Sequence, residues 1–119
     1  YNNHSIVLKL TMGFCSILFP GDVEARAEEE LVGCCRTELP SRVLVAPHHG
    51  SRTSSSMDFL SAVNPEIVII SAGWQNRFGF PHASVIERYK SLAAKIYRTD
   101  YNGAIRLQTD GRQWLVETP

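Results

Sequence analysis

One segment of the chain, Ile67-Val68-Ile69-Ile70, consists only of apolar, β-branched residues. A strand without polar alternation is typical of a sheet that is covered on both faces. A second apolar run, Val43-Leu44-Val45, precedes it, and a helix-like segment lies between the two. Strands that alternate with helices are typical of a largely parallel sheet, so the sequence predicts an α/β fold.

The flanking segments predict further strands at both ends of this unit. Residues 5–10 and 15–19 are rich in Ile, Val and Leu and are separated by Gly13, which suggests a hairpin. Residues 95–98 predict another strand, followed by a turn over residues 100–103. A last hairpin is expected from residues 104–108 and 113–117 around Thr109-Asp110-Gly111.

Three helices are expected between the strands. The first follows Asp22 and carries Ala27 and Leu31 at helical spacing; the second has Ser55 or Ser56 as its N-cap; the third opens at Pro81. The order ββ-α-β-α-β-α-β-ββ predicts one domain over residues 1–119. Consecutive crossover units leave the loops after the strands on one rim of the sheet.

Composition limits what this chain can be, although it does not exclude a nucleic-acid substrate. Lys plus Arg equals Asp plus Glu at twelve each, so bulk charge does not point to nucleic acid. The apolar runs are far shorter than the roughly 20 residues that span a bilayer, so no membrane segment is expected. Tyr1 in place of an initiator methionine suggests an excised piece of a longer protein. Cys15, Cys34 and Cys35 lack CxxC spacing, which argues against a disulfide framework and favours buried thiols.

The candidate functional site is the segment 46–56, which reads Ala-Pro-His-His-Gly-Ser-Arg-Thr-Ser-Ser-Ser. It places His48 and His49 at the exit of a buried strand, and Asp22 follows another strand. A carboxylate and imidazoles at one sheet edge are suited to a divalent ion such as zinc or manganese. Asp22 taken alone is better explained as the N-cap of the first helix.

Four motifs agree, in order and spacing, with a known family. They are Gly21-Asp22-Val23-Glu24, the segment 46–56, residues 70–79 with Asn76-Arg77-Phe78-Gly79, and residues 97–105 with Tyr97-Arg98-Thr99-Asp100. The chain resembles the C-terminal metallo-β-lactamase-like domain of the ComEC/Rec2 DNA internalization competence proteins. The resemblance implies the second half of an αββα sandwich, with Asp22 as the bridging metal ligand and one of His48 and His49 as the final histidine ligand.

The same resemblance implies a metal-dependent phosphodiesterase, or nuclease, that acts on the DNA strand that is not transported. The other histidine would contact the substrate phosphate or support a ligand. We expect Ser51, Thr53 and Ser54 to donate hydrogen bonds to phosphate, and His82 to protonate the leaving oxygen. Arg52 and Arg77 are candidate contacts to the DNA backbone. Trp74 and Phe78 are candidates for stacking on a base, although packing at the rim explains them slightly better.

Two departures from the family pattern keep alternatives open. The upstream motif His-x-His-x-Asp-His is absent, so up to two ions are expected only in a complete domain, and this chain alone is expected to be inactive. Phe80 stands where the family commonly has a histidine. The alternatives are a non-catalytic docking or DNA-positioning module and a hydrolase of small phosphodiesters.

The resemblance also implies partners and a location. The expected partners are DNA and a membrane channel domain upstream in the same protein. A homodimer is a further expectation, because half a sandwich exposes apolar sheet surface. The parent would be an inner-membrane protein, with this soluble domain on the outer face.

Overall fold

The two apolar runs form neighbouring strands at the centre of a five-stranded sheet in the computed structural model, which describes residues 2–119. The strands, in chain order and in spatial order, are β1 (Leu8–Met12), β2 (Cys15–Phe19), β3 (Val43–Val45), β4 (Ile67–Ile70) and β5 (Lys95–Arg98). β1 and β2 form the expected antiparallel hairpin, and β2 to β5 are parallel. The predicted α/β fold is confirmed.

Helices connect the parallel strands, as the alternating pattern predicts. They are α1 (Ala25–Cys35), α2 (Met57–Val63) and α3 (Ala83–Ser91), and a single helical turn, α4 (Thr99–Asn102), follows β5. Short 3₁₀ turns cover Asn2–His4 and Arg36–Glu38, and Pro47–Gly50 form a tight turn in which His48 and His49 have non-helical backbone angles. The C-terminal hairpin pairs β6 (Arg106–Thr109) with β7 (Trp114–Glu117). Among residues 2–119, no helix has the length and apolarity that crossing a membrane would require.

The sheet is covered on both faces near its centre, which explains its continuous apolar strands. On one face, Leu44 and Val68 pack with the buried side chains of α2 and α3, including Phe59 and Tyr89. On the other face, Val43 and Ile69 pack against the β6–β7 hairpin. Successive residues of a strand point to opposite faces, so each central strand contributes to both clusters.

The β1 edge of the sheet exposes apolar side chains. Leu8, Leu10 and Met12 are each about half exposed, although they pair with residues of β2. Leu10 lies opposite Ile17, which belongs to the cluster on the hairpin face, so these side chains extend that face beyond the hairpin. The expectation of exposed apolar sheet surface is therefore confirmed.

The N-cap prediction for Asp22 is wrong. α1 begins at Ala25, and Glu24 occupies the N-cap position without a capping hydrogen bond from its side chain. Asp22 lies two residues further back, in the turn after β2, so helix capping does not account for it. By contrast, Ser56 caps α2 as expected, since its Oγ accepts a hydrogen bond from the Phe59 amide at 3.4 Å.

The prediction for the cysteines is correct only for Cys15, which is buried. Cys34 and Cys35 form a disulfide bond with each other at the end of α1, where Cys34 is exposed and Cys35 is half-buried. Adjacent residues of a helix lie about 100° apart around its axis, so Cys34 and Cys35 could not both lie on the face of α1 that buries Ala27. Their adjacency explains why they are not buried together.

Candidate metal and phosphate site

Three loops that follow neighbouring parallel strands meet at the carboxyl edge of the sheet. Asp22 follows β2, His48 and His49 follow β3, and residues 71–80 follow β4. The amide of His48 donates to the carbonyl of Gly21 at 3.0 Å, and the amide of Ala46 donates to that of Ile69 at 2.8 Å. The expected rim is confirmed, because parallel strands bring these sequence-distant residues together.

The two histidines have an uncommon backbone conformation. His48 and His49 have φ angles of 47° and 56°, in the left-handed region. For residues other than glycine, such sparsely populated conformations cost about 1–3 kcal/mol each and persist only where surrounding structure holds them. Two consecutive residues of this kind make the tight turn that places both imidazoles at the sheet edge.

His49 is oriented by a backbone carbonyl. Its Nδ1 lies 2.8 Å from the oxygen of Ser71, and a carbonyl can only accept, so Nδ1 carries the proton. In the neutral ring, Nε2 is then an unprotonated nitrogen. This atom lies 3.5 Å from Oδ1 of Asp22, and both side chains are about half exposed to solvent. A lone pair therefore faces a carboxylate oxygen, an arrangement that favours a metal cation between them.

His48 faces a different carboxylate. Its Nδ1 is 3.2 Å from Oε1 of Glu24 and is buried, but the geometry between the two does not make a hydrogen bond. Its ring meets that of Phe80 edge-on, with 5.6 Å between the centroids. The two histidines thus have distinct surroundings, and Glu24 is a further residue of the site for which the sequence pattern predicted no role.

An open cleft of about 640 Å³ lies at this edge. The lining residues are Asp22, His48, His49, Ser71, Ala72, Gly73, Asn76, Phe78 and Phe80. The three proposed metal ligands therefore share one cavity with Phe78. His82 does not line it: its ring caps α3, with Nδ1 accepting from the amide of Ser84 at 3.2 Å.

The hydroxyl-rich loop is engaged in internal hydrogen bonds. Thr53 Oγ1 donates to Oε1 of Glu24 at 3.1 Å and accepts from Ser51 Oγ at 2.9 Å. Ser54 is buried, and its hydroxyl donates to the carbonyls of Pro47 and Ser51. Here the hydroxyls of Ser51, Thr53 and Ser54 support Glu24 and the histidine turn. Arg52 is exposed on the same loop.

Glu28 anchors this loop and was missed by sequence reasoning. The side chain is completely buried, and its two oxygens accept from the amides of Ser55 and Ser56 at 2.7 and 2.9 Å. Burial raises the pKa of the Glu28 carboxyl, and the hydrogen bonds from Ser56 and Ser55 partly oppose that rise. A signal was present: Glu28 falls on the apolar stripe of α1 beside Ala27 and Leu31.

The loop after β4 is held by Asn76. Its Nδ2 donates to the carbonyls of Gly73 and Phe80 at 3.1 and 2.7 Å, and its Oδ1 accepts from the Phe80 amide at 2.9 Å. Arg77 and Phe78 are exposed at the tip of this loop. Trp74 is 71% exposed and borders a neighbouring cavity with Arg98, rather than the cleft of the histidines. The interpretation of Trp74 as packed at the rim is therefore wrong.

Asp22 and His49 provide only part of the set of ligands that a metal ion requires. Within the part of the chain that the structure describes, no three His, Cys, Asp or Glu side chains are grouped so that they could hold a metal ion. Asp22 and His49 supply two donor atoms, whereas zinc in proteins is usually bound by three or four protein ligands. Any ion held here would take further ligands from elsewhere.

Comparisons with known proteins show which proteins share this segment. No protein-family model matches the chain. It is 42% identical over 105 residues to the competence protein ComA of Neisseria gonorrhoeae, covering 88% of this chain and 15% of that protein. It is 34% identical over 111 residues to the ComE operon protein 3 of Bacillus subtilis, covering 93% and 14%.

A third relative is the recombination protein 2 of Haemophilus influenzae, which is 40% identical over 106 residues, covering 89% of this chain and 13% of that protein. The chain thus spans roughly one seventh of the length of each of these relatives. In each case the similarity covers nearly the whole chain, and with it the loops that carry Asp22 and the histidines. The chain is a homologue of one segment of these competence and recombination proteins.

Proposed function

We propose that this chain is part of a metal-dependent phosphodiesterase domain that cleaves DNA in a competence protein. The observation that carries the proposal is the pairing of His49 with Asp22. His49 is fixed through Nδ1 on the Ser71 carbonyl, so its Nε2 lone pair faces the Asp22 carboxylate. A carboxylate and a neutral imidazole, converging at a sheet edge beside an open cleft, are suited to holding a divalent ion.

The distance between these donors fits a shared ion. Two ligand atoms that bind one tetrahedral zinc ion at about 2.1 Å lie about 3.4 Å from each other. Nε2 of His49 and Oδ1 of Asp22 are 3.5 Å apart. We assign zinc or manganese to this pair, with up to two ions in a complete domain. Such an ion would supply a Lewis acid that activates water and neutralises phosphate charge.

The remaining residues of the cleft position the substrate. His48 lines the same cleft, and its Nδ1 lies 3.2 Å from Oε1 of Glu24. Because this nitrogen faces Glu24, we assign His48 a role at the substrate phosphate rather than as a ligand of the ion. Thr53, supported by Ser51, holds Glu24 in place through the hydrogen bond to its Oε1. Arg52 and Arg77 are exposed beside the loops of the site and would contact the DNA backbone.

The layer order supports the assignment to a metallo-β-lactamase-like sandwich. One sheet carries helices on one face, and the hairpin and exposed apolar side chains of β1 lie on the other. We propose that an upstream segment with the His-x-His-x-Asp-His motif completes both the sandwich and the ligand set. The parent would be an inner-membrane protein of DNA uptake, with this domain on the outer face beside its channel domain.

The test measures metal content and DNA cleavage in the full-length protein, meaning the longer competence protein to which we assign this chain. The variant is Asp22→Ala, and the matched control is Asp58→Ala, which removes an exposed aspartate on α2. We expect about two ions per chain, halved or lost only in Asp22→Ala, and a parallel loss of cleavage. The 119-residue chain alone should bind metal weakly and cleave nothing. Bound metal that persists in Asp22→Ala would contradict the assignment. Cleavage of an aryl phosphodiester but not of DNA would indicate a small-molecule hydrolase.

One observation favours a second candidate, a docking module that positions DNA without cleaving it. Phe80 occupies the position of a family histidine, and its ring lies against His48 in the cleft. A phenyl ring cannot transfer a proton, so acid catalysis from this position is excluded. DNA binding by the full-length protein without cleavage or stoichiometric metal would favour this candidate.

A further inference from the structure

The loop after β4 carries two stacked aromatic rings, those of Phe78 and Phe80, beside the proposed metal site. We call this pair the ladder. The rings of Phe78 and Phe80 are stacked, with 5.4 Å between centroids and 21° between their planes. Phe80 in turn meets the ring of His48, and the guanidinium of Arg77 lies 4.8 Å from the centroid of Phe78. The ladder therefore runs from solvent at Arg77 to the histidine turn.

Packing in the core does not explain these rings. Phe78 is 62% exposed, and among the described residues neither Phe78 nor Phe80 belongs to the two apolar clusters that cover the sheet. Both rings line the cleft that contains Asp22 and His49. Exposed aromatic rings that line a cleft together with a few polar groups are typical of a binding surface.

The ladder is held in place before any ligand arrives. Asn76 makes three hydrogen bonds across the loop, two of them to the backbone of Phe80. At the base of the loop, the Ala72 amide donates to Oγ1 of Thr99 at 2.9 Å, which ties it to α4. A preorganised aromatic surface loses little conformational entropy on binding, so stacking on it is more favourable.

We propose that Phe78 and Phe80, with Arg77 at their outer end, form a stacking subsite for one nucleobase of a single-stranded nucleic acid. The proposal rests on the proposed function, because it takes the phosphate to lie near His48 and His49. Phe80 contacts His48, so a base on the ladder would belong to a nucleotide adjacent to that phosphate. Arg77 would stack on the base or pair with the next phosphate.

Two physical arguments select a single strand. A ring platform needs a base whose face is free, and in a duplex those faces are covered by neighbouring base pairs. The chain also has a net charge of zero, so attraction of phosphates to the whole chain is weak. Stacking rather than bulk charge would therefore supply most of the affinity, and binding would depend only weakly on salt.

The experiment measures binding of the 119-residue chain to a fluorescent 12-nucleotide oligothymidylate, to an abasic oligonucleotide of the same length and to a duplex. Phe78→Ala removes the outer ring, and Phe14→Ala is the control, because Phe14 is 81% exposed in the β1–β2 turn, outside the cleft. We expect Phe78→Ala to weaken oligothymidylate binding about tenfold, Phe14→Ala to leave it unchanged and Phe78→Trp to retain it. The abasic strand and the duplex should bind weakly to every variant.

Other results would overturn the subsite. Unchanged binding by Phe78→Ala, or an equal loss for the abasic strand, would show that the rings do not stack on a base. Cleavage by the full-length protein separates this failure from that of the proposed function. If Phe78→Ala weakens binding while the wild-type protein cleaves no DNA, the subsite stands and the nuclease assignment fails. If DNA is cleaved and Phe78→Ala has no effect on binding, the nuclease assignment stands and the subsite fails.

Discussion

The Nε2 atom of His49 lies 3.5 Å from Oδ1 of Asp22, whereas the neighbouring His48 turns its Nδ1 to Glu24. Two residues with the same side chain, adjacent in sequence, therefore face different carboxylates. The left-handed backbone at both positions makes this divergence possible. The structure thereby distinguishes between two histidines that the sequence alone left equivalent.

The first prediction follows from this difference. In the full-length protein, His49→Ala should weaken zinc or manganese binding at least tenfold, because it removes one ligand atom and the partner of Asp22. His48→Ala should change metal affinity less than threefold and lower DNA cleavage instead. Isothermal titration calorimetry with each metal measures the first effect, with His4→Ala as the control at an exposed histidine. Equal losses of affinity in His48→Ala and His49→Ala would contradict the assignment.

The sequence predicted those parts of the fold that local pattern determines. The apolar run of β4 was identified because its residues leave no polar face, and the hairpins because Gly13 and Asp110-Gly111 separate strand-like segments. Placement of Asp22 and the histidines on one rim followed from the geometry of parallel strands. These inferences required only the periodicity of the chain and the rules of sheet connection.

Other parts of the site depend on contacts between distant segments. Asp22 was interpreted as a helix cap because an aspartate before a helix usually is one, yet α1 begins three residues later. The hydroxyls of the segment 51–54 were assigned to phosphate, but their present partners are Glu24 and backbone carbonyls. Asn76 was not recognised, because its partners are defined only once the loop has folded. The secondary-structure propensities of single residues do not predict such contacts between distant segments.

The second prediction concerns the buried carboxylate that holds the serine loop. Glu28→Ala should lower the free energy of unfolding by about 2–4 kcal/mol, because two backbone amides lose their acceptors away from water. Glu28→Gln should lose less, since its carbonyl oxygen can still accept from one amide. Urea denaturation of the chain measures both, with Glu29→Ala as the exposed neighbour that should change little. A loss below about 1 kcal/mol in Glu28→Ala would show that the loop is held by other contacts.

The third prediction contrasts two glycines. Gly50 has φ of +82°, and a Cβ placed on it would lie 2.5 Å from Cβ of Pro81. Gly50→Ala should therefore destabilise the chain by about 2–4 kcal/mol through backbone strain and steric overlap. Gly33 lies in α1, and a Cβ placed on it would meet no atom within 4 Å apart from its chain neighbours and the adjacent backbone of its own helix, so Gly33→Ala should stabilise by about 0.5–1 kcal/mol. Denaturation midpoints that shift in the same direction for both variants would refute this contrast.

The last prediction concerns the pH dependence of stability. Arg98 donates two hydrogen bonds to the largely buried carboxylate of Asp100, at 3.0 and 2.7 Å, and holds its pKa below the usual value of 3.8. The ionised form therefore stabilises the fold above pH 3.8, and this contribution is lost as the pH falls through the lowered pKa. Asp100→Asn should cost about 2 kcal/mol at pH 6 and progressively less below pH 3.8.

Urea denaturation between pH 2.5 and pH 6 measures this change as the difference in free energy of unfolding between wild type and variant. The matched control, Asp58→Asn, removes an exposed carboxylate and should give a small difference at every pH. A difference for Asp100→Asn that is constant across the range would show that the charge of Asp100 does not contribute to stability.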